Sequence, residues 1–306
     1  MMKHIIYIIT ICIASLSAAY SQQSPLYSMY MLHDFAINPA IAGTDDFLKA
    51  QINKRYQFIG IEGAPLTTSF SVHGNLDALS MGWGGIIYND TYGPFSKFGV
   101  YGAYAYRIAL DRTTDLSFGV NFGVIDYSIN TSSFVTIQDE PNLNPEEYSF
   151  IRPDATLGVY IKARDYYGGI VANQLFNNSL TVIEVNDTVR VDGAINRLKT
   201  DVALIGGYHY RLSYGFVLEP NLVLRKSPQT PFQAEASARL VYEKTAWAGL
   251  GYRSGDAVSL MIGYAYQKKF YFAYSYDITY SQLRKDSFGT HEIMVGIRFP
   301  EPFLNF

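Results

Sequence analysis

Residues 257–279 read AVSLMIGYAYQKKFYFAYSYDIT. In the first half, Val258, Leu260, Ile262, Tyr264 and Tyr266 are large and apolar or aromatic, while Ser259, Met261, Gly263 and Ala265 between them are mostly small. In the second half, Phe270, Phe272, Tyr274, Tyr276 and Ile278 alternate with Lys269, Tyr271, Ala273, Ser275 and Asp277. A period of two places successive side chains on opposite faces of a β-strand. Both segments therefore predict strands with one greasy face and one slim or polar face.

The pattern recurs upstream. Phe232, Ala234, Ala236, Ala238, Leu240 and Tyr242 are set against Gln233, Glu235, Ser237 and Arg239. Leu116, Phe118, Val120, Phe122 and Val124 lie opposite Ser117, Gly119, Asn121 and Gly123. Charges on the inner face and aromatics on the outer face imply lipid outside the sheet. A soluble sandwich or propeller would bury such rows against a second sheet, yet nearly every segment carries the same aromatic-rich face.

About fourteen segments of roughly ten residues follow this rule, the length at which a tilted strand crosses a bilayer. They fall near Leu48–Gln57, Leu66–Leu76, Met81–Asp90, Lys97–Arg107, Asp115–Asp126, Arg152–Ala163, Tyr166–Gln174, Lys199–Arg211, Gly215–Arg225, Pro231–Tyr242, Thr245–Arg253, Ala257–Tyr266, Lys269–Thr279 and Phe288–Phe299. Every second connection is tight: Asp77-Ala78-Leu79, Asp111-Arg112-Thr113, Arg164-Asp165, Leu212-Ser213-Tyr214, Glu243-Lys244 and Gln267-Lys268. The intervening ones include the two longest, Tyr127 to Ile151 and Leu175 to Leu198, with Ser254-Gly255-Asp256 the one tight exception. Short periplasmic turns alternating with longer outer loops are the habit of outer-membrane barrels. The expected fold is an all-β, transmembrane, antiparallel outer-membrane β-barrel with both termini periplasmic.

Composition agrees. The chain holds 26 Tyr, 19 Phe and 25 Gly with only 17% charged residues, a balance that suits aromatic girdles better than a soluble domain. It opens with Lys3-His4, an apolar run from Ile5 to Leu16, and small or polar residues through Ser21. That is the plan of a secretory signal peptide, with the mature chain expected to begin near Gln22. The expected organisation is a signal peptide (1–21), a periplasmic N-terminal segment (22–45), the barrel (46–299) and a short tail (300–306). Cys12, the only cysteine, leaves with the signal, so neither disulfides nor thiolate metal sites are expected. Removal of Lys3 leaves 23 basic residues against 27 acidic ones, about −4 in net charge, and no nucleic-acid partner is expected.

The search for chemistry is unproductive. His33, His73, His209 and His291 are widely separated, with no metal-binding pair, and neither a nucleotide loop nor a Gly-x-Ser-x-Gly elbow occurs. No catalytic residue, cofactor or metal is expected. Asp139, Glu140, Glu146 and Glu147 form an acidic patch in the longest loop, read as solvated charges. Inward Glu219, Arg225, Glu235 and Arg239 would line a pore or pair to close one.

Two segments carry more local information than a barrel requires. Residues 30–43 read YMLHDFAINPAIAG ahead of the first strand, with Pro39 forcing an extended or turn geometry at Asn38; such a tail would lie over or inside the lumen. Residues 55–67 read RYQFIGIEGAPLT, with glycines and Pro65 shaping the first outer loop. Together, Tyr30-Met31, Asn38-Pro39-Ala40, Ala42-Gly43, Arg55, Gln57, Gly60, Gly63, Ala64, Pro65 and Thr67 resemble the opening signatures of the PorP/SprF family, outer-membrane proteins of the Bacteroidota type IX secretion and gliding machinery. Phe58 stands where the family usually has tryptophan. Asn89-Asp90, Gly93-Pro94, Tyr104-Ala105-Tyr106-Arg107, Tyr252-Arg253-Ser254-Gly255-Asp256-Ala257, Leu283-Arg284-Lys285 and His291-Glu292-Ile293-Met294 extend the resemblance over about Tyr27 to Phe299.

The resemblance implies a barrel that serves secretion, gliding motility or surface attachment by binding, with no enzymatic step. Its partners would be outer-membrane lipids and either periplasmic ring proteins or the C-terminal domain of a large secreted adhesin. The motif positions Asn38, Pro39, Arg55, Gln57, Gly63, Ala64, Pro65, Asp90, Gly93, Pro94, Arg253, Ser254, Gly255 and Asp256 become candidate contact or architecture residues. The competing expectation is a passive or fatty-acid-type transport channel.

Overall fold

The computed structural model describes residues 26–76, 80–130, 147–178, 199–228 and 230–300. Fourteen strands form the wall. They are β1 (Phe47–Tyr56), β2 (Leu66–Leu76), β3 (Met81–Tyr92), β4 (Phe95–Ala109), β5 (Asp115–Asn130), β6 (Glu147–Lys162), β7 (Tyr166–Asn173), β8 (Asp201–Tyr208, resuming as Tyr210–Ser213), β9 (Phe216–Ser227), β10 (Thr230–Tyr242), β11 (Ala246–Arg253), β12 (Ala257–Tyr266), β13 (Phe270–Thr279) and β14 (Thr290–Pro300). Each pairs antiparallel with its neighbours in sequence, and β1 pairs with β14 from Phe47↔Pro300 to Tyr56↔His291, closing the ring. A closed ring leaves every strand core with two partners, so backbone polar groups are satisfied without water. Among the described residues no helix is long and apolar enough to cross a membrane.

The alternation places side chains as expected. Phe118, Phe122, Leu250, Leu260, Ile262 and Phe272 are exposed on the outer wall, while Lys49, Gln51, Asn53, Arg55, Ser259, Ser275, Asp277 and Glu292 are buried inside. The turns Glu243-Lys244 and Gln267-Lys268 have positive φ at both residues (48° and 57°, 52° and 57°), the mirror-image hairpin geometry that matches strand twist.

Two local expectations change. The ladders of β4, β5 and β6 run further than the alternation, through Phe95↔Ile129 and Ser128↔Ser149, because backbone pairing continues where the outer row turns polar at Asp126, Ser128 and Asn130 and the apolar residues Ile125, Tyr127 and Ile129 take the other face. The strand β8 breaks at His209, and its second piece extends through Ser213, moving the turn to Tyr214-Gly215. Arg55 and Thr67, at the ends of the expected strands that flank the first outer loop, pair with each other across β1 and β2. The turn at 77–79, most of the two long connections (131–146 and 179–198), the signal segment and the tail after 300 lie outside the described residues, as do Asp139, Glu140 and Glu146.

Candidate functional site: the occupied lumen

The segment ahead of β1 lies inside the barrel. Its start is at the loop end, where Ser28 meets Arg55 and Arg253. Its exit is at the short-turn end, where Lys162 binds Asp45 at 2.6 Å just before Phe47 opens β1. Tyr27, Met29, Tyr30, Leu32, Phe35, Ile41 and Ala42 are buried, although the segment has almost no regular structure of its own.

Its geometry follows from Asn38-Pro39. A single helical turn, α1 (Asp34–Ile37), ends at Asn38, whose backbone is extended (φ −134°, ψ 114°), as a residue before proline prefers. Pro39 then starts a 3-10 turn through Ile41, capped by the Asn38 side chain accepting from the Ala40 N–H at 3.0 Å. The amide of Asn38 also donates to the Val159 carbonyl of β6 at 3.1 Å. Gly43, at φ +72°, lets the chain turn toward β1 where a side chain would be strained.

The wall is cut back to receive this turn. Added Cβ atoms would lie 1.9 Å from Asn38 Oδ1 at Gly158, 2.2 Å from Ala40 N at Gly119, 2.0 Å from Ala42 O at Gly82 and 2.5 Å from the Phe35 ring at Gly84. The slim positions of β3, β5 and β6 are therefore a seat. Polar wall residues fasten what the glycines admit. Arg107 donates to Gly43 O at 2.7 Å, Lys162 to Thr44 O at 2.8 Å, and Lys49 to Leu32 O at 2.7 Å and Asp34 at 3.0 Å.

Higher in the lumen, Ser28 is the hub of a buried ion cluster. Its hydroxyl donates to Asp277 at 2.6 Å and accepts from Arg55 at 2.7 Å and Arg253 at 2.9 Å, while its N–H donates to Glu292 at 2.7 Å. Arg55 bridges Asp277 and Glu292, each at 2.9 Å, and Arg253 bridges Glu235 at 3.0 Å, Asp256 at 3.0 Å and Asp277 at 3.3 Å. Two cations and four carboxylates thus meet around one plug residue. Buried charges persist only when paired and hydrogen-bonded.

Between these levels His33 contacts Ser69 at 2.9 Å and Gln51, which in turn accepts from Tyr271 at 2.6 Å. Burial, and then the Lys49 charge, lower the His33 pKa to about 3, so it is a neutral structural ring. Burial opposes the Asp45 carboxylate, yet Lys162 pulls its pKa down to about 2. Among the described residues no group of three or more His, Cys, Asp or Glu is arranged to hold a metal ion.

The candidate residues sort into three places. Asn38 and Pro39 shape the plug; Arg55, Arg253 and Asp256 build the ion cluster. The others lie at the loop end: Gly93 N–H donates to Gly63 O at 2.7 Å, Gln57 N–H to Pro65 O at 2.9 Å and Asn130 N–H to Pro94 O at 2.8 Å, while Thr67 of β2 donates to Asp90 of β3 at 2.5 Å. Ala64 closes its loop by donating to Ile61 O at 3.3 Å, Ser254 Oγ accepts from Ala234 N–H at 3.0 Å, and Gly255 turns at φ +72°. The expected lumen charges pair in part: Arg239 binds Glu219, Glu235 takes Arg253, and Arg225 faces a cavity of about 90 Å³ on the loop side of the plug. Ser28, Asp277, Glu292 and the seating glycines were not singled out as site residues by sequence. Asp277 and Glu292 did fall at inward or motif positions.

The model of the family described as type IX secretion system membrane protein PorP/SprF matches residues 19–297. The chain belongs to the PorP/SprF family. The sequence resemblance is therefore borne out over nearly the whole barrel. Among solved structures, the toluene transporter TbuX of Ralstonia pickettii is similar at 7% identity over 87% of this chain and 92% of that one, with a TM-score of 0.50. The CymD monoaromatic hydrocarbon channel is similar at 12% identity over 91% and 93%, with a TM-score of 0.49. The likeness to TbuX is one of barrel fold alone. No curated protein matches.

Proposed function

We propose that this PorP/SprF barrel is a closed docking component of the type IX secretion or gliding machinery, anchoring periplasmic ring proteins or receiving the C-terminal domain of a secreted surface adhesin. The observation that carries this reading is the occupied lumen. Residues 27–45 fill it and are bonded to the wall from the ion cluster to the Lys162–Asp45 pair. The seat of glycines and the buried ion cluster hold that plug across the lumen, against passive flux.

In this reading the short turns and both barrel ends, Phe47 and Pro300, face the periplasm, and the long loops face outward. Export would proceed through cleavage near Gln22. The outer wall meets lipid; the mouths meet protein.

Deletion of the gene is expected to block export or surface display of a partner protein while leaving outer-membrane integrity unchanged. Normal secretion in the deletion strain would remove the docking reading. A purified wild-type barrel that conducts ions steadily in planar bilayers would instead favour the transport channel.

A further inference from the structure

At the short-turn end, one piece of the wall stands clear of the ring. The second half of β8, Tyr210–Ser213, pairs with Phe216–Leu218 of β9 on one side and, among the described residues, with no strand on the other. Its neighbour β7 begins only at Tyr166, opposite Tyr208, and the last backbone bond to that side is His209 N–H to Asp165 O at 2.7 Å. Four residues, about 13 Å of strand, thus leave an open edge. All four are exposed. Natural sheets seldom leave such an edge unprotected, since it is a template for a further strand.

The edge borders a cavity of about 490 Å³ enclosed between the plug and the wall, lined by Arg211 and walled by Tyr160, Tyr167 and Trp247. Its charges are unbalanced. Asp34, Asp45 and Glu219 are already engaged by Lys49, Lys162 and Arg239. Arg164, Lys244 and Arg298 line the same mouth without an acidic partner among the described residues. The Arg298 guanidinium lies over the rings of Phe47 and Tyr271, at 5.3 and 5.1 Å, and its Nε is buried without a hydrogen-bond partner.

We infer that this mouth captures an extended, acidic peptide segment of a periplasmic partner, which adds a strand to Tyr210–Ser213 and places carboxylates against Arg164, Lys244 and Arg298. This rests on the docking reading and names the chemistry of its periplasmic site. Strand addition supplies affinity through the backbone and leaves alternate side chains to be read by the surface. The cations supply the sign. The outward row of Tyr210, Leu212 and Tyr214 also suits a lipid headgroup boundary, but headgroups would use that face and not the strand edge.

The test uses the full mature chain in phosphatidylcholine nanodiscs and fluorescein-labelled eight-residue peptides of alternating aspartate and valine, with two controls of equal length. One control replaces aspartate by lysine; the other carries N-methyl groups on alternate amides and so cannot pair as a strand. Anisotropy is expected to show the acidic peptide binding at least about tenfold tighter than either control. The double variant Arg164→Glu/Lys244→Glu should erase the preference for acid, and Leu212→Pro should erase the effect of N-methylation. Equal binding of the three peptides, or unchanged selectivity in both variants, would overturn the proposal in favour of a membrane-boundary role. Gene deletion in cells, set beside the peptide result, separates the two readings. If gene deletion blocks secretion but the acid preference is absent, docking stands and this site falls; if deletion leaves secretion normal, docking falls while the peptide result still judges the edge.

Discussion

A Cβ on Gly158 would sit 1.9 Å from the side-chain oxygen of Asn38. The two residues lie 120 positions apart in the chain, yet the wall lacks a side chain at the point where the plug needs the space. Gly158→Ala or Gly119→Ala is therefore expected to unseat the plug while the barrel still folds, since ring closure does not pass through either contact. Overpacking of this kind costs about 1–3 kcal/mol. In planar bilayers wild-type protein should be closed and both variants conducting. Gly102→Ala, where an added Cβ meets nothing within 4 Å, should behave as wild type. Silent Gly158 and Gly119 variants would show that the plug is not what closes the lumen.

The ion cluster predicts an order of severity. Arg55→Met strands Asp277 and Glu292 as buried carboxylates with fewer partners, a loss of about 3–5 kcal/mol by the usual cost of orphaning a buried ion. Ser28→Ala removes only a hydroxyl between groups that keep each other, about 1–3 kcal/mol. Urea unfolding in detergent, followed by heat-modifiable migration on gels, should place the variants in that order. A larger effect at Ser28 than at Arg55 would mean the hydroxyl, and not the charge balance, organises the site.

Protonation of His33 should loosen the plug. In the docked state its pKa is held near 3 by burial and by Lys49, against about 6.5 for a solvated ring. Its docked pKa is depressed, so its contribution is complete above pH 6.5 and is lost as pH falls toward 3, at about 1.4 kcal/mol per pH unit. Wild-type stability minus that of His33→Gln should slope this way between pH 6 and 4 and be flat above pH 7. Parallel curves across that range would rule the ring out as a titrating element of plug docking.

Much of this architecture was legible because a barrel repeats one rule. Alternation at Val258–Tyr266 or Phe232–Tyr242 reports the lipid face directly, and tight pairs such as Glu243-Lys244 punctuate it. The plug obeyed no such rule. Residues 30–43 have no period, so only their motif-like character stood out, and their place depended on contacts with β3, β5, β6 and β7 scattered through the chain. Gly119 and Gly158 looked merely small until Asn38 and Ala40 occupied the space. Ser28 is one ordinary residue that becomes a hub because the ring brings 55, 253, 277 and 292 together. The break at His209 was hidden for the opposite reason: the alternation continues across it through Tyr208, Tyr210 and Leu212 while the pairing partner on one side stops.

The outer wall makes a last prediction that separates lipid from protein as its solvent. Ile262 lies near the middle of β12 and is 59% exposed, flanked across the sheet by Ala248 and Tyr274, all in the row that alternation assigns to lipid. Arginine there would place a charge near the bilayer midplane, at about 2–4 kcal/mol. The side chain has no lumen to turn to, since the neighbouring inward position, Met261, is buried. Ile262→Arg should thus lower folding stability in phosphatidylcholine vesicles by that amount, and Ile262→Leu by almost none. The arginine penalty should shrink for Tyr266→Arg at the strand's end, where a long side chain reaches the interface. Equal penalties at 262 and 266 would place both residues at the same depth and contradict the assignment of β12 as a membrane-crossing strand.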